Sequence, residues 1–332
     1  MMPSNAGNSE SSGNAAANGV SHVSIDPELA GQRLDNFLLN RLRGVPRSVI
    51  YRIIRRGEVR VNRGRVKPTY RIAAGDNVRI PPVRTDRPAP EKAVPGSRVQ
   101  QAMSAAVIFE TRDYLLVNKP AGMAVHGGSG VDFGLIETLR AARPDEKYLE
   151  LVHRLDRDTS GIIILARRRS ALRDLQAQMR ERHIGKRYLA LVAGSWPEQL
   201  TEVKAPLKRF ETPSGERMVR PDEAQGKSAL TRFRVVERLA GYTLLEASPV
   251  TGRTHQIRVH AACSGHPIAG DAKYMDDASM AIWRRAGGQR LMLHAAAVEF
   301  TPPGEDQRQR HEAPLEPVFE QMLQRLRSRG ES

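Results

Sequence analysis

Residues 149–166 constrain the fold more than any other stretch of this chain. Two strongly apolar runs, residues 149–152 and 162–166, have the length of buried strands, and they enclose a loop carrying His153, Arg154, Asp156, Arg157 and Asp158. Charges held between buried strands need a reason, because an unpaired polar group in the interior is costly. One reason is catalysis, since loops fixed by a rigid sheet commonly carry reactive groups. The other is local: Asp158, Thr159, Ser160 and Gly161 form caps and turns and account for half of the polarity. On the residues alone the two readings stand level.

Around this stretch lie further strand-like runs at residues 114–117, 188–192, 242–247 and 291–300. Residues 170–182 read as a helix, with Leu172, Leu175 and Met179 on one face. Strands outnumber helices, and the strict strand–helix alternation of a doubly wound sheet is absent. The expected fold class is therefore α+β on a mostly antiparallel sheet, in a domain spanning residues 104–328.

A second, smaller module precedes it over residues 31–82. Leu34, Phe37, Leu38 and Leu42 share one helix face, and Gly44 and Pro46 break that helix. A second helix starts near Ser48 as N-cap and carries Val49, Ile50, Ile53 and Ile54 inward to a stop at Gly57. Residues 58–61 alternate like a strand, Asn62–Gly64 reads as a tight turn, and residues 75–80 complete a small sheet. Between Arg41 and Arg71 stand eleven basic residues, among them Arg47, Arg52, Arg55, Arg56, Arg60 and Arg63, against the single acid Glu58. Charge of one sign at that density, interleaved with a folded amphipathic unit, calls for a polyanion. The whole chain agrees: 52 Lys and Arg against 37 Asp and Glu leave a formal charge of +15. No apolar run approaches the roughly 20 residues of a membrane span, so nucleic acid is expected and membrane is not.

Residues 1–23, rich in Ser, Asn, Gly and Ala, are expected to be a disordered tail without a signal peptide. Residues 83–103, punctuated by proline, are expected to be a linker. Cys263 is the only cysteine, which excludes an internal disulfide, fits a cytoplasmic setting and reads as a buried thiol. The spacing of His255 and His260 suits no metal site, and the glycine-rich residues 126–130 lack the pattern of a nucleotide-binding loop. Neither metal nor cofactor is expected.

Two resemblances extend this reading. Residues 31–80 resemble an S4 domain, a small module of ribosomal and RNA-modifying proteins, which implies recognition of structured RNA. The stretch His153-Arg154-Leu155-Asp156-Arg157-Asp158-Thr159-Ser160-Gly161 resembles the signature of the RluA family of pseudouridine synthases. The pattern continues through residues 186–188, 251–260, 270–274 and 293–295. With the S4-like start and residues 124–130 and 215–220, the chain is most similar to members acting on bacterial 23S rRNA. That implies site-specific isomerisation of uridine to pseudouridine in the large-subunit rRNA or its precursor, without an obligate protein partner.

The resemblance also assigns roles. Asp156 falls on the catalytic carboxylate, open to three roles: nucleophile at C1′, electrostatic support of C1′, or base for the 2′ proton. Arg258 is the cation set against it, or else an ordinary exposed arginine on a strand. Tyr188 packs on the uracil and moves the C5 proton, or else is a core aromatic. Arg154 fills the space left by a flipped base, or else contacts phosphate. His153, Arg253, His255 and Gln256 belong to the substrate-binding set, with a structural hydrogen-bonding role the other reading of His153 and the expectation for His294. Two competing functions are a non-catalytic rRNA-binding assembly factor, which the charge and the S4-like domain would satisfy, and a glycosidase or base glycosylase, for which Asp158 is the only neighbouring second carboxylate.

Overall fold

The computed structural model describes residues 19–42, 44–83, 94–128 and 133–330. The chain divides into two units, Met1–Lys92 and Ala93–Ser332.

In the first unit the order is β1 (Ser21–Ser24), α1 (Leu34–Arg41), α2 (Arg47–Arg55), β2 (Arg60–Val61) and β3 (Asn77–Ile80). The strands form an antiparallel sheet in the order β1-β3-β2. Leu34, Phe37 and Leu38 of α1 and Ile50, Ile53 and Ile54 of α2 bury themselves with Val61, Val78 and Ile80. Asp35 ties the helices together: Arg33 donates two bonds to its carboxylate and the Tyr51 hydroxyl a third at 2.9 Å. The Arg33 guanidinium, followed by Tyr51, holds that carboxyl below its ordinary range despite burial. At the hairpin, Asn62 and Arg63 both take positive φ, 48° and 69°, which is what a tight two-residue turn of this hand requires. Arg47, Arg52, Arg55, Arg56, Arg60 and Arg63 are all exposed.

Two expectations for this unit need correction. Residues 21–23, expected to belong to the tail, form β1 with Ser24, paired Ser21↔Ile80 through Ser24↔Asn77, while residues 1–18 of that tail lie outside the described residues. A four-residue edge strand with one apolar side chain carries too little pattern to stand out from polar surroundings. The N-cap of α2 is Pro46 and not Ser48; proline's fixed φ suits it to a helix start.

The second unit runs α3 (Ser97–Ala105), β4 (Val107–Glu110), β5 (Tyr114–Lys119), α4 (Leu135–Ala142), β6 (Glu150–Leu151), β7 (Ser160–Ala166), α5 (Arg169–Glu181) and β8 (Gly185–Ala193). It continues β9 (Glu202–Lys204), β10 (Leu207–Glu211), β11 (Arg217–Pro221), β12 (Leu230–Leu239), β13 (Tyr242–Pro249) and α6 (Gln256–Cys263). It ends α7 (Asp277–Arg285), β14 (Leu293–Phe300), β15 (Gln309–Glu312) and α8 (Pro317–Gly330). Among the described residues ten strands form one sheet in the order β4-β5-β7-β14-β8-β13-β12-β9, with β15 on β14 and β6 on β7, while β10 and β11 pair as a separate ribbon. All pairs are antiparallel except β7 with β14, so the α+β expectation holds.

One core gathers β5, β7, α4 and α5, and another gathers β8, β13, α6, α7 and α8, with Tyr188 packed against both. The seam between the two halves depends on Gly161. Its φ is +107°, and a Cβ there would lie 2.2 Å from the Ala295 carbonyl oxygen. No other residue lets β7 approach β14 so closely.

The expected linker, 83–103, also needs correction, because Ser97–Ala105 is helix α3 of the second unit. Met103 is its only buried residue, so the segment shows no apolar period. Prolines 88 and 90, and Ser129 and Gly130 of the glycine-rich stretch, lie outside the described residues. Cys263 is exposed at the end of α6, where its thiol donates to the His260 carbonyl, in place of the buried thiol expected. Among the described residues no helix is long and apolar enough to cross a membrane.

Helix α5 ends on Arg182 with φ 63° and ψ 27°, a left-handed cap usually filled by glycine. Arg182→Gly is expected to raise stability by about 1 kcal/mol in urea denaturation, since an L-residue there costs ~1–2 kcal/mol. A loss of stability would mean that the arginine side chain makes contacts worth more than the strain.

Candidate active site

The loop between β6 and β7 is held at three points. His153 Nε2 accepts the Ile164 backbone N–H at 3.2 Å, pinning the loop to β7. Burial pushes this imidazole down to about 3, so it is a neutral acceptor at physiological pH. Leu155 is buried in the first core and anchors the middle of the loop. Lys119, at the end of β5, is fully buried and donates to the carbonyls of Pro120 (2.8 Å), Met123 (2.9 Å) and Arg157 (2.9 Å). Burial draws its ammonium down to about 8, against the opposing pull of Glu316, Asp158 and Asp156. All three ammonium donors are engaged, and they fasten the loop to the adjoining turn.

Asp156 stands on this loop with a side chain 28 % exposed. Its partner comes from α6, where Ile257 and Ala261 pack in the second core and the next residue after Ile257, Arg258, reaches the loop. Arg258 Nη1 lies 3.4 Å from Asp156 Oδ2. Its Nε and Nη2 both donate to Asp271 at 2.7 Å, a fork-to-fork pair that leaves one edge of the guanidinium for Asp156. The Tyr274 ring lies 5.2 Å from the guanidinium carbon. Burial opposes the Arg258 charge, yet Asp271, followed by Asp156, outweighs it and holds this group above its ordinary value.

His255 begins α6 with φ 53°, a conformation that costs a non-glycine residue of order 1–3 kcal/mol. Its Nδ1 lies 2.7 Å from the Tyr274 hydroxyl and its Nε2 3.9 Å from Asp156 Oδ2. Burial lowers its pKa, with Asp156 opposing. Tyr188, on β8, is paired with Ala247 of β13 and Ala295 of β14. Burial, reinforced by the charge of Asp156, raises its phenol well above the ordinary value.

His153, Asp156, Tyr188, His255 and Arg258 line one cleft of about 240 Å³, together with Arg154, Lys186, Arg253 and Gln256. Gln256 lines the cleft with its carboxamide engaged on the protein side. Its Oε1 accepts from Thr251 and the Arg253 N–H, and its Nε2 donates to Leu230 and Thr231, so the carboxamide serves the surrounding protein. His294 is structural, bonded to Ser160 at 2.9 Å and the Ala313 carbonyl at 3.3 Å. Arg258, for which an exposed strand position was the other reading, is a buried helix residue.

Sequence reasoning gave no role to Asp271, Tyr274, Lys119 or Lys186. The first two sit inside a stretch already singled out, residues 270–274. A buried arginine demands a two-oxygen partner, and that rule could have pointed to Asp271.

Comparison with known proteins decides what this cleft belongs to. Residues 113–263 match the RNA pseudouridylate synthase family and residues 32–78 match the S4 domain. The chain is 51 % identical over 311 residues to ribosomal large subunit pseudouridine synthase C of Escherichia coli (strain K12), covering 93 % of this chain and 97 % of that one. The chain belongs to the RNA pseudouridine synthase family. The homologous synthase C of Pasteurella multocida (strain Pm70) is 50 % identical over 315 residues, covering 94 % of this chain and 96 % of that protein. Human RNA pseudouridylate synthase domain containing 4 shares the fold of the pseudouridine synthase unit, with a TM-score of 0.57 at 23 % identity over 69 % of this chain and 96 % of its own. Human RNA pseudouridylate synthase domain containing 1 gives a TM-score of 0.54 at 28 % identity, over 65 % and 86 %. The enzyme is thus an isomerase: a pseudouridine synthase rearranges the bond between base and sugar within one nucleotide and consumes nothing.

Proposed function

We propose that this pseudouridine synthase modifies uridines of bacterial 23S rRNA with Asp156 as its catalytic carboxylate. The observation that carries the reading is the Asp271–Arg258–Asp156 chain, in which a guanidinium locked on one carboxylate presents its remaining edge to another, part-open one. Breaking the N1–C1′ bond leaves an electron-poor sugar and a detached uracil. A carboxylate with a fixed cation beside it can attack C1′, support positive charge there, or take the 2′ proton. Tyr188 keeps its proton at neutral pH and relays at C5 of the turned base, its oxygen taking the C5 proton as its own hydroxyl proton passes to water or a base carbonyl. Arg154 is exposed beside the loop and fills the space left by a flipped nucleotide.

The relatives' names, which specify the large ribosomal subunit, support 23S rRNA as the substrate. The reading is tested by incubating the protein with unmodified 23S rRNA and mapping pseudouridines by chemical labelling and primer extension. New stops are the expected result; none on 23S rRNA, with stops on 16S rRNA or tRNA, would overturn the substrate.

The basic face of α2 serves phosphate contact. Ser48, Val49, Arg52, Arg55 and Arg56 line a shallow cleft on the S4 unit. Replacing Arg52, Arg55 and Arg56 together by Ala should flatten the slope of log affinity against log salt by roughly two to three units, at about 0.7–0.9 per lost contact. An unchanged slope in filter binding would remove these side chains from the RNA interface.

A further inference from the structure

The β10–β11 ribbon has two faces of different character. Its register pairs Leu207↔Pro221, Arg209↔Val219 and Glu211↔Arg217 on one face, and Lys208↔Arg220 and Phe210↔Met218 on the other. The first face is tied to the walls of the active site. Leu207 and Val219 pack with Ala229, Val259 and Tyr274. The Val219 N–H donates to the Tyr274 hydroxyl at 3.1 Å, Arg209 donates to Thr254, and Lys273 bonds the Arg217 carbonyl at 3.3 Å. Thr254 lies between Arg253 and His255, both of which line the cleft, so the ribbon is rooted at its rim.

Among the described residues, the side chains of the second face make no hydrogen bond or ion pair to the walls of the cleft. Phe210 and Met218 are half-buried side by side, and Arg220 is exposed with its guanidinium carbon 5.2 Å from the Phe210 ring centroid. Lys208 is held by Asp222 at 3.5 Å and Gln225 at 2.6 Å, whereas Arg220 has no ion pair among the described residues. A planar cation resting on an aromatic ring offers a flat, charged surface. Unstacked RNA bases bind to such surfaces, with the charge available to a neighbouring phosphate. Extruding a uridine exposes the faces of the bases beside it, and a platform at the cleft rim can cover one of them.

We propose that the outer face of the β10–β11 ribbon, centred on Phe210 and Arg220, is a stacking platform for an RNA base adjacent to the uridine that enters the cleft. This deepens the proposed function and rests on its RNA substrate. The platform acts in binding, so its loss shows in KM and leaves kcat near the wild-type value.

The test compares Phe210→Leu, Arg220→Lys and Arg220→Ala in the full chain, with Arg217→Lys on the opposite face as control. Pseudouridine formation in unmodified 23S rRNA gives KM and kcat, and thermal melting checks the fold. Phe210→Leu and Arg220→Lys should each raise KM roughly 5- to 100-fold, as expected for one lost base-stacking contact, and Arg217→Lys should not. Arg220→Lys with wild-type KM would overturn the platform, because lysine keeps the charge and lacks the plane. If the wild-type protein forms no product in 23S rRNA, the substrate reading fails by itself. The platform is then judged by filter binding of a single-stranded RNA and its abasic counterpart: a base-dependent preference abolished by Arg220→Lys supports it, and equal binding of the two RNAs by the wild type overturns it.

Discussion

Asp156→Asn is expected to reduce pseudouridine formation by at least about four orders of magnitude, the scale seen when a central catalytic side chain is removed from an enzyme. The fold should tolerate the change. The Asp156 side chain is 28 % exposed and its contact with Arg258 is long, at 3.4 Å, whereas Arg258 keeps both bonds to Asp271. Melting temperature and rRNA affinity should therefore stay close to wild type, separating lost chemistry from lost structure. Two outcomes count against the proposed mechanism. Activity within tenfold of wild type would mean that Asp156 is not the catalytic carboxylate, and release of free uracil by the wild-type enzyme would indicate hydrolysis in place of isomerisation.

Removing the other carboxylate should do different damage. Asp271 and Arg258 are almost completely buried, and Asp271→Ala leaves the 3.4 Å contact to Asp156 as the guanidinium's remaining carboxylate partner among the described residues. A buried charge stripped of its partner costs about 3–5 kcal/mol. For a unit of this size that corresponds to a fall of roughly 6–20 °C in melting temperature, at about 2–4 °C per kcal/mol. Activity should fall too, because the cation facing Asp156 is no longer held in place. The double variant Asp271→Leu with Arg258→Met separates the two effects: an apolar pair should recover most of the stability and none of the activity. Recovery of activity in that variant would show that the cation is dispensable. Full stability in Asp271→Ala alone would contradict the account of the buried pair.

Much of the architecture could be read locally. The run at residues 162–166 became the core of β7, the period of Leu172, Leu175 and Met179 marked α5, and the Asn62–Gly64 turn has the backbone its residues suggest. Periodicity failed where burial is one-sided or complete. Helix α3 buries only Met103, and β1 has one apolar residue, so neither announces itself. Helix α6 has the opposite problem: Gln256 to Ala261 are all buried, which leaves no polar face to set a period.

The candidate site divides along the same line. The sequence by itself determined which side chains are available, because the stretch at 153–161 and the later motifs resemble a family whose chemistry names a carboxylate, a tyrosine and an arginine. It also determined the charge that suits an RNA partner. Only the tertiary structure decided that Arg258 faces Asp156 from 102 residues away, that Asp271 locks it, and that Tyr188 sits where two cores meet. The physical reason is that a side chain's type is a local property, whereas the partner of a buried charge depends on which elements the sheet brings together. Here that is settled by the close approach of β7 to β14 at Gly161 and by the packing of α6 against the second core.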